Sequence, residues 1–331
     1  MSRQIIIHKV IIVIIGFVIT LSTVSCNETL KTNDKIKIIF DTDIGSDCDD
    51  AGAMAVLHML ADYDEVEILG VIFSSNANKF GTGTCAAINT YYGRNYLPLG
   101  QLQGNTIIGD PGDSYSKYIA KSTNIYGHSV IDSTTEAIIV YIELLKKQPD
   151  SSVTLITVGH PVALLYLLKD KEGEKLIKQK VQKWIAMTHT DTVPKMDWNF
   201  GRNGCAPFVT ELLKSWPTKI YFSGAGEKII TGNKKLPETD SLNPVKKVYQ
   251  LWGNNALKNG RCSWDQIAVL FAARPHCFNI EEGSLIQTST FETYWKPDSI
   301  NEKHFKIVPA LTDNELEEII ENLMSESPRI K

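Results

Sequence analysis

The sequence lacks several features that would indicate a function class directly. It has six cysteines in 331 residues but no Cys-x-x-Cys pair, so it contains no common zinc-finger pattern. Its formal net charge is -4 and it has no long run of lysine or arginine, so we expect no binding to nucleic acid. It has no internal repeat. With 43% hydrophobic and 22% charged residues, its composition is typical of a globular protein with a sizeable core.

The first 26 residues differ in character from the rest of the chain. Arg3 and Lys9 accompany the apolar run VIIVIIGFVITL, which is shorter than the roughly 20 residues needed to span a bilayer. This pattern predicts an export signal, and the sequence STVSC resembles a bacterial lipoprotein cleavage site at Cys26. The alternatives are an ordinary cleaved signal and an uncleaved anchor.

This pattern also predicts the domain organisation and the location of the protein. We expect residues 27–35 to form a polar tether and residues 36–331 to form a single domain. The protein is predicted to be exported to the bacterial cell envelope, as a periplasmic or outer-membrane lipoprotein. It would contact the membrane only through its N-terminal lipid.

From residue 36 onward, short β-branched runs alternate with segments of helical periodicity. The predicted buried strands are IKIIF, VEILGVIF and VTLITV. The predicted helices are Ala51 to Ala61, Ala86 to Tyr92, Thr135 to Lys146 and Val162 to Leu168. This alternation predicts an α/β fold, with an open, mostly parallel, Rossmann-like sheet flanked by helices. The polar stretches 100–134, 188–204 and 224–244 are predicted to be long loops over the carboxyl ends of the strands.

The segment DTDIGSDCDDAG places five carboxylates directly behind the first predicted strand, from Asp41 to Asp50. Aspartates cap helices and complement the helix dipole, but capping requires only one or two of them. Carboxylates this close together raise each other's pKa unless a cation neutralises them. Because oxygen ligands favour hard ions, the segment predicts a calcium or magnesium site.

Two other acidic motifs share features with this segment. An EF-hand loop requires a glutamate at its twelfth position, but counting from Asp41 and from Asp43 gives Gly52 and Met54. A haloacid-dehalogenase-type phosphatase also has an Asp-x-Asp after its first strand. It needs a later lysine and an acidic pair after another strand, and GDPGD at 109–113 comes too early for that pair. The phosphatase remains the less favoured alternative.

The segment DTDIGSDCDDAGAMAVL resembles the opening motif of the inosine-uridine-preferring nucleoside hydrolases. Four later segments resemble the family in the same order: ILGVIFSSNAN, VTLITVGHPVALL, DTVPKMDWNFGRNGCAP and SWDQIAVLFA. Together the five segments extend over residues 36 to 273. The resemblance implies a nucleoside hydrolase fold, which is a Rossmann-like α/β fold with a mixed, mostly parallel sheet.

The resemblance also implies roles for individual residues. The implied calcium ligands are Asp43, Asp50, the main-chain carbonyl of Val158, and Asp265. Asp43 would also act as the catalytic base. The implied contacts to the sugar and its oxocarbenium-like transition state are Asp49, Asn76, Asp191, Asp197 and Asn199, with Asn199 also assigned a catalytic role. Asp191 replaces an asparagine of the family, and Asp197 replaces a glutamate.

Trp264 is the largest departure from the family, whose better-known members have a histidine beside the metal-binding aspartate. That histidine is associated with protonation of a departing purine, which an indole cannot perform, although Trp264 could stack on a base. His128, His160 and His189 lie in predicted loops and are candidates for the missing acid. His58 lies on the apolar stripe of the first helix and is expected in the core.

The function implied by the resemblance is calcium-dependent hydrolysis of the N-glycosidic bond of ribonucleosides or related ribosides, which releases ribose and base. The alternative is a ribose- or nucleoside-binding relative that has lost acid catalysis at Trp264. The expected partner is a small-molecule nucleoside or riboside. The resemblance also suggests a homo-oligomer, either a dimer or a tetramer.

Overall fold

The computed structural model describes residues 35–132, 134–297 and 301–329. The predicted export signal and residues 27–34 of the predicted tether lie outside the described residues. Lys35–Lys331 forms one compact unit. Among the described residues, no helix combines the length and apolar character needed to cross a membrane.

The secondary structure alternates between strands and helices along most of the chain. The strands are β1 (Ile36–Thr42), β2 (Val66–Phe73), β3 (Leu99–Gln101), β4 (Thr135–Glu136), β5 (Val153–Thr157), β6 (Val181–Met187), β7 (Lys219–Ser223), β8 (Ile230–Thr231), β9 (Arg261–Cys262), β10 (Phe278–Glu282), β11 (Ser284–Gln287), β12 (Thr293–Lys296) and β13 (His304–Pro309). The helices are α1 (Asp49–Asp62), α2 (Gly81–Tyr91), α3 (Ser116–Lys121), α4 (Thr123–Tyr126), α5 (Ala137–Lys146), α6 (Val162–Lys169), α7 (Lys171–Lys180), α8 (Trp198–Gly201), α9 (Ala206–Ser215), α10 (Pro244–Leu251), α11 (Ala256–Asn259), α12 (Trp264–Ala273) and α13 (Asp313–Ser325).

The main sheet has nine strands in the order β10-β13-β7-β6-β5-β1-β2-β3-β4. Every neighbouring pair is parallel except β10 and β13, which are antiparallel at one edge. Two small antiparallel sheets, β8–β9 and β11–β12, lie outside it. The predicted mixed, mostly parallel sheet is therefore confirmed.

The core has two layers, one on each face of the sheet. Along β1, Ile38 and Phe40 pack into one layer and Ile39 into the other, because successive side chains of a strand point to opposite faces. The first layer includes residues of α1, α12 and α13, and the second includes residues of α5, α6 and α9. Helices on both faces explain why β1, β2 and β5 are almost continuously apolar.

One predicted helix begins earlier than expected. Helix α2 begins at Gly81 rather than at Ala86. A Cβ atom at Gly81 would lie 2.1 Å from the ring of Phe73, and one at Gly83 would lie 2.2 Å from the carbonyl oxygen of Ile131. These two glycines allow the first turn of the helix to pack closely, which apolar periodicity does not reveal.

The predicted loops also contain short elements. The stretch 100–134 includes α3 and α4, the stretch 188–204 includes α8, and the stretch 224–244 includes β8. The predicted helix at 135–146 begins instead with strand β4, which pairs with β3. Helices of four to six residues are too short to show a helical repeat.

Candidate active site

The candidate site lies where the connections of the sheet change direction. From β1 the chain continues to β2 on one side, whereas β5, on the other side of β1, continues to β6 and away from β1. In open α/β sheets, ligands bind in the crevice at this position, beyond the carboxyl ends of the strands. Asp43 follows β1 and Val158 follows β5. The topology therefore brings both predicted residues to this crevice.

Three carboxylates meet beside the crevice and form what we call the acidic cluster. Asp49 and Asp50 lie in the first turn of α1, and Asp265 lies in the first turn of α12. One carboxylate oxygen of each lies within 4.8 Å of the other two, and all three residues are buried. Packing between α1 and α12 brings these distant parts of the sequence together.

Side-chain capping of helices does not explain the acidic cluster. The N-caps of α1 and α12 are Cys48 and Ser263, and neither makes a side-chain capping hydrogen bond. Asp50 instead accepts a hydrogen bond from the hydroxyl of Thr42, at the end of β1. The helix dipoles favour nearby anions, but only by about 0.3–1 kcal/mol at exposed sites.

The electrostatics of the acidic cluster favour a bound cation. Burial raises the pKa of Asp49, Asp50 and Asp265 well above the usual range, and repulsion between carboxylates raises it further. A buried carboxylate without a partner is costly, so a proton or a cation must neutralise this charge. A donor set made of oxygen atoms fits calcium, which accepts about six to eight oxygen ligands.

Asp43 has a buried carboxylate oxygen that is available for binding. Its Oδ2 atom accepts no hydrogen bond from the described residues, and Nε2 of His160 lies 3.4 Å from it. Burial raises the pKa of Asp43, while the His160 imidazole and the Trp198 indole act in the opposite direction. The charge of Asp43 also raises the pKa of Asp50 and Asp265, so Asp43 belongs electrostatically to the same site.

A carbonyl group and an amide group add neutral ligands to the crevice. Nδ2 of Asn199 donates a hydrogen bond to the carbonyl oxygen of Val158 at 2.7 Å. That carbonyl has a second lone pair. Oδ1 of Asn199 is buried and has no hydrogen-bond partner within the described part of the chain. Two of the predicted site residues are therefore in direct contact, and both retain an acceptor.

His160 lies directly behind Asp43 and is fully buried. Its Nδ1 atom is 3.3 Å from the carbonyl oxygen of Asn199, and its Nε2 atom is 3.3 Å from Nδ2 of Asn203. Both ring nitrogens therefore have polar neighbours inside the protein. His160 lies in the connection between β5 and α6, in a loop as the sequence predicted, and it is buried there.

The loop after β6 holds three other predicted residues in different environments. Asp197 caps α8: its Oδ1 accepts a hydrogen bond from the Phe200 amide at 2.7 Å, and its Oδ2 accepts one from the His189 amide at 2.8 Å. Asp191 is exposed, and its Oδ2 lies 3.5 Å from Nδ1 of His189. In this structure Asp197 therefore fixes the shape of the loop, while Asp191 lies at its outer edge.

Asn76 stabilises a neighbouring loop in this structure. Its Nδ2 atom donates to the carbonyl oxygens of Gly104 and Thr106 at 3.2 and 2.9 Å. Its Oδ1 atom accepts from the amide of Ile108 at 2.8 Å. These bonds connect the end of β2 to the loop that follows β3.

His128 is also tied to structure outside the acidic cluster. It is buried, and its Nε2 atom lies 2.9 Å from the carbonyl oxygen of Ala120, next to the ring of Tyr126. Burial lowers its pKa. His58 is fully buried, as expected for a core residue.

The five carboxylates from Asp41, near the end of β1, to Asp50 have three different environments. Asp43, Asp49 and Asp50 line the crevice. Asp41 is buried beneath it, where its Oδ2 accepts a hydrogen bond from the Tyr141 hydroxyl at 2.7 Å and burial raises its pKa to about 7. Asp47, the carboxylate that has no counterpart in the family motif, pairs with Arg261.

Three residues near the site had not been singled out from the sequence: Trp198, Asn203 and Arg261. Trp198 and Asn203 lie within the segment that resembles the family, but no spacing rule distinguishes them. Arg261 lies in strand β9 and covers one face of Trp264, with 4.7 Å between its guanidinium carbon and the ring centroid. Any base that stacks on Trp264 must therefore use the opposite face.

Solved structures share this fold at low sequence identity. The inosine-uridine preferring nucleoside hydrolase from Bacillus anthracis has a TM-score of 0.67 and 15% identity, with coverage of 87% of this chain and 99% of that chain. The purine-preferring ribonucleoside hydrolase from Gardnerella vaginalis gives 0.62 and 14%, with coverage of 87% and 98%. A type III effector protein solved with adenosine diphosphate ribose gives 0.62 and 10%, with coverage of 89% and 94%.

No family model and no curated protein matches the sequence. The structural similarity nevertheless extends over nearly the full length of each compared protein. The chain therefore has the nucleoside hydrolase fold, as its five sequence segments predicted.

Proposed function

We propose that this protein hydrolyses the N-glycosidic bond of ribonucleosides or related ribosides and requires calcium. The observation that carries the proposal is the acidic cluster beside Asp43, at the β1–β5 crevice of a nucleoside hydrolase fold. A buried cluster of carboxylates without a basic partner for each of them is costly unless it binds a cation.

The proposed calcium ligands are Asp43, Asp50, Asp265 and the carbonyl oxygen of Val158. The unpaired Oδ2 of Asp43 and the raised pKa values of Asp50 and Asp265 support this assignment. Bound calcium would supply positive charge to neutralise the carboxylates and would bind hydroxyl oxygens of the sugar.

The protein residues then act on the water and the sugar. The oxygen of a water molecule forms a bond with the anomeric carbon, and its proton passes to the carboxylate of Asp43. The bond between this carbon and the base nitrogen breaks, and the base takes the electron pair. The Asp49 carboxylate and the partial negative charge on the unpaired Oδ1 of Asn199 would stabilise an oxocarbenium-like sugar bound at the cluster.

The compared proteins guide the choice of substrates. Two of them are nucleoside hydrolases, one preferring inosine and uridine and the other preferring purines. The third was solved with adenosine diphosphate ribose, a larger riboside. We therefore propose that the substrate is a ribonucleoside or another compound with an N-linked ribose.

A second candidate function is binding of a riboside without efficient turnover. Trp264 favours this alternative, because it replaces the histidine expected beside Asp265 and cannot donate a proton to a base. Arg261 also covers one of its faces. Such a relative would retain the calcium site and the sugar contacts.

We also propose that the protein is exported and tethered to an envelope membrane through a lipid on Cys26. It would there act on external nucleosides for salvage. The apolar segment that precedes STVSC supports this location.

A turnover assay tests the proposed function and separates it from the alternative. The purified protein is incubated with inosine, adenosine, uridine, cytidine, adenosine diphosphate ribose and 4-nitrophenyl riboside, and release of reducing sugar is measured. We expect hydrolysis of at least one substrate, loss of activity with a chelator, and recovery with calcium. Binding without hydrolysis would favour the second candidate, and neither binding nor hydrolysis would refute both.

A further inference from the structure

Beside the acidic cluster, four residues form a compact assembly that we call the Arg261 clamp: Asp47, Trp252, Arg261 and Trp264. Nε of Arg261 donates to Oδ1 of Asp47 at 3.0 Å, and its Nη2 donates to Oδ2 of the same carboxylate. The guanidinium carbon lies 4.8 Å from the ring centroid of Trp252 and 4.7 Å from that of Trp264. The cation is thus held between two indole rings and by one carboxylate.

Further hydrogen bonds hold the clamp in place. The indole nitrogen of Trp252 donates to the carbonyl oxygen of Ser46 at 2.8 Å. The Tyr115 hydroxyl donates to the carbonyl oxygen of Asp47 and accepts from the amide of Gly45 at 2.8 Å. The clamp is therefore anchored to the loop that contains Asp43 and leads into α1, where Asp49 is the first residue.

The clamp lies at the edge of the acidic cluster. Asp47 falls between Asp43 and Asp49 in the chain, and Trp264 directly precedes Asp265. The positive charge of Arg261 partly offsets the rise in the pKa of Asp49. The clamp is therefore close enough to the acidic cluster to reach a substituent of a sugar bound there, if that substituent points toward Trp264.

The guanidinium retains donors that the clamp does not use. Its Nε and Nη2 atoms pair with Asp47, whereas Nη1 donates no hydrogen bond within residues 35–132, 134–297 and 301–329. The two indole rings cover part of the guanidinium, whose side chain is 23% exposed, and this partial shielding from water strengthens its interaction with a nearby negative charge.

We propose that Arg261 stabilises the negative charge of the departing group during glycosidic cleavage by a hydrogen bond, so that no proton donor is needed at this site. This inference rests on the proposed function. As the bond from the anomeric carbon to the leaving atom breaks, the leaving group takes the electron pair. Arg261 donates a hydrogen bond to the resulting anion and keeps its own proton, because a guanidinium stays charged at any physiological pH. Solvent protonates the anion after release.

A series of aryl ribosides with leaving phenols of increasing basicity tests this role. The rates of the wild type, Arg261→Gln and Arg261→Lys are measured across the series. We expect Arg261→Gln to lower kcat/KM by about 10²- to 10³-fold for the most basic phenol and by less than about tenfold for 4-nitrophenol. We expect Arg261→Lys to lose less activity than Arg261→Gln, because lysine retains the positive charge.

Arg274 provides a matched control. It also pairs with a carboxylate through Nε and Nη2, here that of Glu65, and the two pairs are similarly exposed, at 25% and 29% for Arg274 and Glu65 and 23% and 28% for Arg261 and Asp47. Glu65 directly precedes β2, and Arg274 directly follows α12, at the end of that helix opposite to Asp265 of the acidic cluster. We expect Arg274→Gln to leave the dependence on leaving-group basicity unchanged.

The outcomes separate the inference from the proposed function. An equal loss across the series for Arg261→Gln, or no loss, would overturn the role of Arg261 while the enzyme remains a riboside hydrolase. A steeper dependence of kcat/KM on leaving-group basicity in Arg274→Gln would also count against the role of Arg261. The effect would then follow from the loss of any such ion pair and not from Arg261 in particular. If the folded wild type cleaves no riboside in the series or in the nucleoside panel, the proposed function and this inference both fail.

Discussion

Nε2 of His160 lies 3.4 Å from Oδ2 of Asp43, and both residues are buried. His160 follows β5 and Asp43 follows β1, so the pairing of these two neighbouring strands brings the residues together. Asn199 and Asn203 approach the two nitrogens of the imidazole ring and hold its orientation. The histidine therefore lies beside the proposed base, where it can orient the Asp43 carboxylate.

The first prediction concerns this contact. We expect His160→Gln to lower kcat for all ribosides by about 10- to 100-fold, because groups that orient a metal-binding side chain typically have effects of this size. The loss should be similar for inosine and 4-nitrophenyl riboside, since Asp43 serves both reactions. Steady-state kinetics on the two substrates measure it. A loss confined to inosine would instead indicate that His160 acts on the leaving group.

The second prediction concerns the metal. We expect Asp43→Ala and Asp265→Ala to abolish both calcium binding and activity. Asp265→Asn should stabilise the metal-free protein, because it removes one of several buried like charges, yet it should lose the stabilisation by calcium. For the wild type that stabilisation is about 2.7 kcal/mol at a calcium concentration of 100 Kd. Thermal unfolding with and without chelator measures both effects.

Asp150→Asn is a suitable control for these metal-site variants, because Asp150 is an exposed carboxylate that pairs with Lys180. It should respond to calcium as the wild type does. Elemental analysis provides an independent test. Active protein that contains no calcium would refute the proposed metal dependence.

The third prediction concerns stability and pH. His58 is fully buried, its Nε2 lies 3.0 Å from Oδ1 of Asn89, and burial, with a smaller contribution from Arg94, lowers its pKa to about 3. The unfolded chain takes up this proton near pH 6.5, so it binds more protons than the folded chain between the two values. The contribution of neutral, buried His58 to the free energy of unfolding is therefore fully present above about pH 6.5 and is lost as the pH falls toward 3.

Urea unfolding from pH 4 to 8 tests this prediction. Relative to His58→Gln, the free energy of unfolding of the wild type should fall more steeply below pH 6.5, by up to about 1.4 kcal/mol per pH unit. The variant His276→Gln, at an exposed position, is the control. Parallel curves for the wild type and His58→Gln would contradict the assignment.

The sequence predicted the parts of the structure that depend on local pattern. The apolar runs around Ile38 and Ile156 are strands because continuous β-branched segments suit a sheet covered on both faces. The position of Asp43 at a strand end follows from the same pattern. The order of strands in a sheet is not encoded in any local pattern. The contact between Asp43 and His160 depends on the pairing of β1 with β5, so the local pattern could not predict it.

Contacts between distant segments account for most of the rest. Asp47 and Arg261 are 214 residues apart, and neither lies in a spacing pattern that implies the other. The position of Arg261 depends on β9, a strand that pairs with β8. With only two residues, β9 is too short to show periodicity. Asp197 and Asn76 are similar cases: their hydrogen bonds to loop backbone depend on how the loops fold.

The fourth prediction concerns location. The apolar segment that ends at Cys26 motivates the expectation of a lipid-modified mature N-terminus. Mass spectrometry of protein purified from native membranes should find diacylglycerol on the thiol of Cys26. Cys26→Ser should abolish the modification and release the protein from the membrane fraction. An unlipidated mature chain that begins at another residue would contradict this expectation.

The fifth prediction concerns the departing base and depends on Trp264. General-acid catalysis contributes about 10²- to 10⁴-fold, so its absence should make inosine and adenosine slow substrates relative to 4-nitrophenyl riboside, whose leaving group is already a stable anion. The variants His128→Ala and His189→Ala test the two other candidate acids. His128 contacts the carbonyl oxygen of Ala120, and His189, within the loop after β6, contacts that of Val193, so we expect neither change to alter the ratio of the two rates.

Three results are informative for the leaving group. A fast reaction with the nitrophenyl compound and a slow one with inosine, unchanged in both histidine variants, would support departure of the base without a protein acid. A selective loss of inosine hydrolysis in His189→Ala would identify that residue as the acid. If inosine and the nitrophenyl compound are cleaved at similar high rates in the wild type and in both variants, Trp264 does not limit the reaction, and stacking on its free face must activate the base.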